Sequence, residues 1–239
     1  MSLDFLSPTR RETAWRIILY GGEGVGKSTF AARLGAGIMD IEGGLARIDA
    51  VGTPVIRDYD MLVEWFSKFS QNLSKGETLA IDTIDWLDRI FSAKVGQERG
   101  VALAEDLGYG KGPVYVAQKW VKFCAALDTL IERGVNVLML AHSEVKTFSP
   151  PDSEAYDRYQ PKLHSKSLDF LKQWSDATLF WGSVATLKRG EHEKTRAVGS
   201  VESLIEVGSK ATHVGKNRLE ELTQDAYTPE ELLILLGGK

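Results

Sequence analysis

Residues Gly21–Thr29, GGEGVGKST, have the types and spacing of a loop that binds phosphate groups. They match the pattern G-x-x-x-x-G-K-[ST] directly after the apolar run AWRIILY. Glycines let backbone N–H groups converge on phosphate oxygens, and the start of a following helix adds its positive dipole end. Lys27 is expected to reach the β- and γ-phosphates of a nucleoside triphosphate, and Ser28 to ligate Mg²⁺. The predicted phosphate-binding residues are Gly21, Gly22, Glu23, Gly24, Val25, Gly26, Lys27, Ser28 and Thr29.

Three further polar side chains follow apolar runs that predict strands. Asp82 ends LAID, where a carboxylate would hold Mg²⁺ or cap the next helix. Glu42 ends IMDIE and could polarise an attacking water, or be a solvated loop acid that pairs with an arginine. His142 follows NVLMLA and could sense the γ-phosphate or serve as a hydrogen-bonded cap. Together these residues indicate phosphoryl chemistry at one edge of a sheet.

The elements that must position these residues alternate between apolar runs and stretches of helical period. This alternation predicts an α/β fold, with a mostly parallel central sheet covered by helices on both faces. The whole chain, residues 1–239, is expected to be a single domain with residues 1–15 as an N-terminal arm. Strands are predicted at 16–21, 37–42, 77–82, 136–141 and 177–187, and helices at 27–36, 60–73, 83–95, 114–133, 167–174 and 228–237.

Composition and charge argue against a membrane-spanning protein and against one that coats DNA by general electrostatic attraction. No run of 18 apolar residues is present, so no membrane span is expected. A single cysteine, Cys124 within VKFCAAL, predicts a buried thiol and is typical of a reducing cytoplasm. The net charge of −4 argues against a general electrostatic coating of DNA, so nucleic-acid binding would require localised basic loops.

Two segments interrupt the predicted order and are candidate DNA-facing loops, at 105–113 and 146–167. Cations could follow phosphates there while Tyr156 and Tyr159 stack on bases, a mode that tolerates many sequences. The alternative is a pair of solvated surface loops. The candidate nucleic-acid contacts are Tyr109, Lys111, Lys146, Arg158, Lys162 and Lys166.

Several motifs resemble those of RecA. The segments IMDIEGGL, AID-T and LMLAHSEVK resemble the RecA segments that carry the catalytic glutamate, the metal-binding aspartate and the γ-phosphate sensor. The resemblance implies these roles for Glu42, Asp82 and His142, with histidine where RecA has glutamine. GKNR resembles the segment with which RecA-type ATPases reach a neighbour's site, which implies that role for Lys216 and Arg218. In an extended segment both cations face one side, although a solvated charged turn is the alternative.

More closely, the run from 16 to 218 resembles phage-encoded RecA-core ATP-binding proteins, on EGGL, IDTIDWL, GYGKG, AHSEVK, EAYDRYQPKLH and KNR. The resemblance implies a RecA-like P-loop core with C-terminal antiparallel strands. It also implies Mg²⁺-dependent ATP hydrolysis between subunits of a ring or filament in the cytoplasm of a bacterial host. Single-stranded DNA would be the substrate in recombination, annealing or replication, with a single-strand-binding protein or replisome component as a further partner.

Other functions share the phosphate-binding loop. A small-molecule or nucleoside kinase usually needs an arginine-rich lid, whereas the second loop carries one arginine, Arg158, among acids. A nucleotide-gated binding module that recruits a replisome partner would not need Glu42. A GTP switch is disfavoured because the sequence contains no N-K-x-D motif.

Overall fold

The computed structural model describes residues 14–238 except 153, 185–186, 190–194 and 198–201. Most of the predicted N-terminal arm, residues 1–13, therefore lies outside the described residues. The strands are β1 Arg16–Gly21, β2 Gly37–Asp40, β3 Thr78–Asp82, β4 Asn136–Phe148, β5 Tyr156–Pro161, β6 Ala177–Val184, β7 Leu187–Arg189, β8 Thr195–Ala197, β9 Glu202–Glu206, β10 Lys216–Asn217 and β11 Ala226–Tyr227. The helices are α1 Lys27–Arg33, α2 Tyr59–Asn72, α3 Ile84–Arg99, α4 Gly112–Glu132, α5 Ser165–Trp174 and α6 Pro229–Leu235.

The centre of the sheet is parallel, in the order β6-β1-β4-β3-β2, and antiparallel strands complete it. Strand β9 pairs antiparallel with β6 and with β11, and β10 pairs antiparallel with β6. This arrangement confirms the predicted α/β class, with a mostly parallel sheet and C-terminal antiparallel strands. The charged segment LKRGEHEKTRAV, residues 187–198, is typical of a hairpin, and it contains the antiparallel pair β7–β8, although 190–194 and Val198 lie outside the described residues.

Both faces of the sheet are buried, because successive residues of β1 point to opposite sides. Ile18 and Tyr20 belong to the core formed with α2, α3, α4 and α5. Ile17 and Leu19 belong to the opposite core, formed with α1 and α6. This double burial explains why the central strands read as continuous apolar runs. Cys124 is buried in the first core, as predicted.

Local signals set the helix ends near the site and at the C-terminus. Helix α1 begins at Lys27 after Gly26, whose φ of 113° suits a residue without a side chain. The spacing of Thr228, Pro229 and Glu231 is typical of a capped helix start, and helix α6 begins after Thr228, which forms a reciprocal capping box with Glu231. The Gly-rich segment 105–113 is a short turn into α4, with Tyr109 in the left-handed region at φ 60°.

The prediction that residues 146–167 form a loop is wrong. Strand β4 continues to Phe148 and pairs antiparallel with β5, so most of this segment is a β-hairpin, and α5 begins at Ser165. Beyond the sheet core the hairpin needs no apolar run to pair its backbone, so the polar residues after Ala141 gave no strand signal.

Candidate nucleotide site

The phosphate-binding loop lies where β1 turns into α1. Gly24 and Gly26 both have positive φ, 72° and 113°, which lets the chain wrap closely around an anion. Lys27 is 5% exposed, and its ammonium donates to the carbonyl oxygens of Gly21 at 3.1 Å and Gly22 at 2.8 Å. Burial lowers the pKa of Lys27, while the carboxylates of Asp82 and Glu42 act against this lowering. The loop therefore holds its lysine in place, ready to exchange carbonyl partners for phosphate oxygens.

Asp82 ends β3 beside this loop and is 1% exposed. Its Oδ1 atom has no hydrogen-bond partner among the described residues. Burial raises the pKa of Asp82 to about 6; the Ser28 hydroxyl beside it acts in the opposite direction, and Glu42 raises it further. A buried carboxylate oxygen without a donor, next to a hydroxyl and facing the loop, is suited to a hard divalent cation or its water ligands. The residues present therefore fit Mg²⁺.

Glu42 lies two residues beyond the end of β2, in a bend rather than at the strand's last position. Its backbone N–H donates to the Asp82 carbonyl at 3.1 Å, and the Ile41 N–H donates to the same oxygen at 2.7 Å. Thr83 donates weakly to Glu42 Oε2, at 3.5 Å. The backbone of β3 therefore positions Glu42 directly beside the Asp82 carboxylate.

His142 connects Glu42 to helix α3. Its Nε2 lies 3.6 Å from Glu42 Oε1, and its Nδ1 lies 2.9 Å from Asp85 Oδ2. The His142 backbone N–H also donates to Asp85 Oδ1, at 3.1 Å. The hydrogen bond with Asp85 raises the pKa of His142 against the effect of burial. For Asp85, burial acts to raise the pKa, but its bonds with His142 hold the value below the ordinary one.

Strand register explains why these residues converge. Gly21 pairs with His142, and Asp82 pairs with Asp40 and with Leu140. The carboxyl ends of β1, β2 and β3 therefore meet at one edge, beside the part of β4 that carries His142. They enclose a cavity of about 270 Å³, which we call the phosphate cavity. It is lined by Glu23, Gly24, Gly26, Lys27, Ser28, Thr29, Glu42, Gly44, Ile48, Asp82, Thr83 and His142.

Lys216 and Arg218 do not join this cavity within the chain. Lys216 pairs with Thr178, which aligns with Ile18, about 10 Å along β1 from Gly21. Its ammonium donates to the carbonyl oxygens of Lys172 at 2.6 Å and Gln173 at 3.1 Å, and also to that of Ser175. The Arg218 side chain is exposed and forms no hydrogen bond or ion pair within the described part of the chain.

The residues predicted to contact nucleic acid do not all lie on the β4–β5 hairpin. Lys146 and Arg158 are cross-strand partners on one face, together with Phe148 and Tyr156, and Arg158 lies 3.8 Å from the Phe148 ring centroid. Lys162 follows β5, and Lys166 lies in the first turn of α5. The other predicted pair lies before α4, where Tyr109 is 99% exposed and the Lys111 ammonium is 6.0 Å from its ring centroid.

Sequence reasoning missed two members of the site. Asp85 lies within the helix predicted at 83–95, where the sequence alone assigns it no part in the site, yet it fixes His142 from a position 57 residues away. Thr83 is the first residue of the same predicted helix, yet its hydroxyl approaches Glu42. The repeated acids of IDTID, one at a strand end and one in the first turn of a helix, were the available signal. Because Asp85 lies in the first turn of α3, its side chain remains close to the strand edge where β3 ends.

A glycine-rich loop between β1 and α1, a buried lysine and an acid at the end of β3 define a P-loop nucleotide-binding protein with a mostly parallel central sheet. The chain belongs to the AAA domain family AAA_24, whose model matches residues 13–219. A search of curated proteins found no match.

Two solved structures are similar to the chain at low identity. One is a KaiC-like protein from the archaeon Pyrococcus horikoshii OT3, with 15% identity, coverage of 80% of this chain and 78% of that chain, and a TM-score of 0.37. The other is the flagellar accessory protein FlaH from Methanocaldococcus jannaschii, with 11% identity, coverage of 89% and 84%, and a TM-score of 0.38. Within the described residues no helix is long and apolar enough to cross a bilayer.

Proposed function

We propose that this protein is a Mg²⁺-dependent ATPase of phage origin that acts on single-stranded DNA in a bacterial host, during recombination, annealing or replication. The observation that carries the ATPase part is the convergence of Lys27, Asp82, Glu42 and His142 on the phosphate cavity. A buried carboxylate oxygen without a donor and a buried lysine have opposite charges, and both face the space that a γ-phosphate would fill.

Each residue has a distinct part in the proposed reaction. The loop N–H groups and Lys27 hold the phosphates and stabilise the charge that develops on the γ-phosphoryl group. When bound, Mg²⁺ would supply further charge neutralisation, held by Ser28 and Asp82. Glu42 orients the attacking water and receives its proton. His142 presents its Nε2 toward Glu42 and so responds to the state of the γ-phosphate.

The same strand that carries His142 leads out to the proposed DNA-binding surface. Strand β4 runs without interruption from His142 to Phe148, so a shift of the histidine can move the hairpin. One hairpin face combines Lys146 and Arg158 with two aromatic rings, Phe148 and Tyr156. This combination supports binding in which cations follow phosphates and rings stack on bases.

Hydrolysis between subunits is part of the proposal, with Arg218 of one copy facing the phosphate cavity of the next. The exposure of Arg218 and its lack of a partner within the described part of the chain support this role, as does its position toward the opposite end of the sheet from the phosphate-binding loop. A head-to-tail ring or filament would bring these two ends together. A single-strand-binding protein or a replisome component is a further proposed partner.

Phosphate release from ATP tests the proposal, measured with and without Mg²⁺ and with and without single-stranded oligonucleotide. We expect Mg²⁺-dependent turnover that single strands increase. Glu42→Gln is expected to retain nucleotide binding and to lose at least about 100-fold in turnover, the contribution typical of a positioned general base. Glu64→Gln is the matched control, since Glu64 is exposed on α2 and pairs with Lys68. If Glu42→Gln hydrolyses ATP at the wild-type rate, the proposed ATPase mechanism is wrong. If single-stranded oligonucleotide does not change the rate of ATP hydrolysis, the proposed action on DNA is wrong.

A further inference from the structure

A second cavity, of about 550 Å³, lies on the other side of the phosphate-binding loop. We call it the ring cavity, because Tyr159, Phe180 and Trp181 line it together with Gly22–Val25 of the loop. It shares Glu23 and Gly24 with the phosphate cavity, so the loop is a common wall. Its volume falls within the range of about 300–1,000 Å³ that small-molecule sites occupy.

Stacked rings form a rigid column at this cavity. The Tyr159 and Phe180 ring centroids are 5.0 Å apart with an interplanar angle of 19°, and Phe180 stacks on buried His213 at 5.0 Å and 25°. Backbone bonds fix the tyrosine, since its N–H donates to the Thr212 carbonyl at 2.8 Å and its carbonyl accepts from the Val214 N–H at 2.9 Å. Tyr159 is nevertheless 43% exposed, so part of its ring remains available to another ring.

The polar lining of the ring cavity favours a group that donates hydrogen bonds. Glu206 and Glu23 contribute carboxylates, and Ser143 and Thr212 contribute hydroxyls. Lys210 donates to Glu206 Oε2 at 2.5 Å, and His213 Nδ1 lies 3.9 Å from Glu206 Oε1, too far for a hydrogen bond. Two carboxylates repel a phosphate, whereas they attract an amino group on a planar ring. The chemistry required is therefore an aromatic ring with an exocyclic amine.

We propose that the ring cavity binds an amino-bearing nucleobase (adenine, cytosine or guanine), stacked on Tyr159 with its exocyclic amine directed at Oε1 of Glu206. The base comes either from a free nucleoside or from a single strand, and the second source rests on the proposed function above. An occupant in this position touches both the phosphate-binding loop and strand β5. Base binding therefore couples the hairpin to the nucleotide site through direct contact.

Binding measurements at excess ADP test this site, because ADP fills the phosphate cavity. Adenosine, cytidine and thymidine are compared by calorimetry, and homopolymeric oligonucleotides of dA, dC and dT by fluorescence anisotropy. We expect the amine-bearing bases to bind more tightly than thymine in one or both arms. Binding of nucleosides assigns a free ligand, and preference seen with oligonucleotides alone assigns a strand.

Variants of Tyr159 and Glu206 decide whether this cavity is responsible. Tyr159→Leu keeps apolar packing on Phe180 and should weaken binding roughly 5- to 150-fold, the value of one base–aromatic stack. Tyr159→Phe should retain binding, and Glu206→Gln should reduce the preference over thymine. Tyr115→Ala, remote on α4, is the matched control. Thermal unfolding confirms that each variant is folded.

The outcomes separate this proposal from the proposed function. Equal affinity of wild type and Tyr159→Leu for every probe overturns the ring-cavity site, even if ATP turnover responds to DNA. Equal affinity for thymine and the amino-bearing bases overturns the role of the exocyclic amine. If adenosine binding depends on Tyr159, the ring-cavity site is supported. If DNA leaves ATP turnover unchanged in the same protein, the proposed action on DNA is wrong although the site is right.

Discussion

Lys216 is predicted to stabilise the end of α5, and Lys216→Met tests this by removing the charge while keeping the apolar stem. The ammonium donates to carbonyls of Lys172, Gln173 and Ser175, which the helix end leaves without backbone donors. Hydrogen bonds to a charged group contribute about 1.5–3 kcal/mol each, and the helix dipole adds about 0.3–1 kcal/mol. Because Lys216 is partly exposed, water can replace much of this stabilisation in the variant. We therefore expect Lys216→Met to lower the free energy of unfolding by about 1.5–3 kcal/mol.

For a chain of this size the loss corresponds to a decrease in Tm of about 3–12 °C, measured by circular dichroism. Arg218→Met is the matched control, since its side chain is exposed and its removal should change stability by less than about 0.5 kcal/mol. A Lys216→Met protein that unfolds at the wild-type temperature would refute the capping role. Lys216 would then be free for a role in a neighbour's site, as the resemblance to RecA implies.

Two further predictions concern the nucleotide site. Arg218→Met should abolish most ATP turnover, and mixing it with Lys27→Ala should restore activity, because some interfaces then combine an intact loop with an intact arginine. His142→Gln should destabilise the protein most near pH 6 and progressively less as the pH rises. The hydrogen bond that His142 Nδ1 makes to Asp85 raises the pKa of His142; Glu42 acts in the same direction, and burial and Lys27 oppose it. A raised folded-state pKa gives stability that is present below the ordinary value of about 6.5 and is lost as the pH passes the raised value.

Controls for these predictions are available in the chain. Subunit mixing is compared with each variant alone, and the absence of any recovery in a protein that still assembles would contradict a shared site. For the pH series, His164→Asn is the control, since His164 caps α5 from an exposed position. Equal destabilisation by His142→Gln at every pH between 5.5 and 8.5 would contradict a charged His142.

Local sequence patterns were sufficient for the core of the fold. The apolar runs of β1 and β3 and the capping residues of α6 each act on neighbours in the chain, so their signals survive without tertiary context. The β4–β5 hairpin was missed because its register is set by backbone pairing between polar residues. The capping contacts of Lys216 join residues 41 to 44 positions apart, and no spacing rule in the sequence encodes them.

The charges around the phosphate cavity bear on the proposed hydrolysis of ATP between subunits. Among the described residues that line it, Lys27 is the only lysine or arginine, whereas Glu23, Glu42 and Asp82 are all acids. A nucleoside triphosphate would add further negative charge to a site where burial already raises the pKa of Asp82. A divalent cation at Asp82 offsets part of this charge, and an arginine from a second copy would offset more at the γ-phosphate. The excess of acid therefore supports the proposal that the site becomes active only when the metal and a neighbouring subunit are both in place.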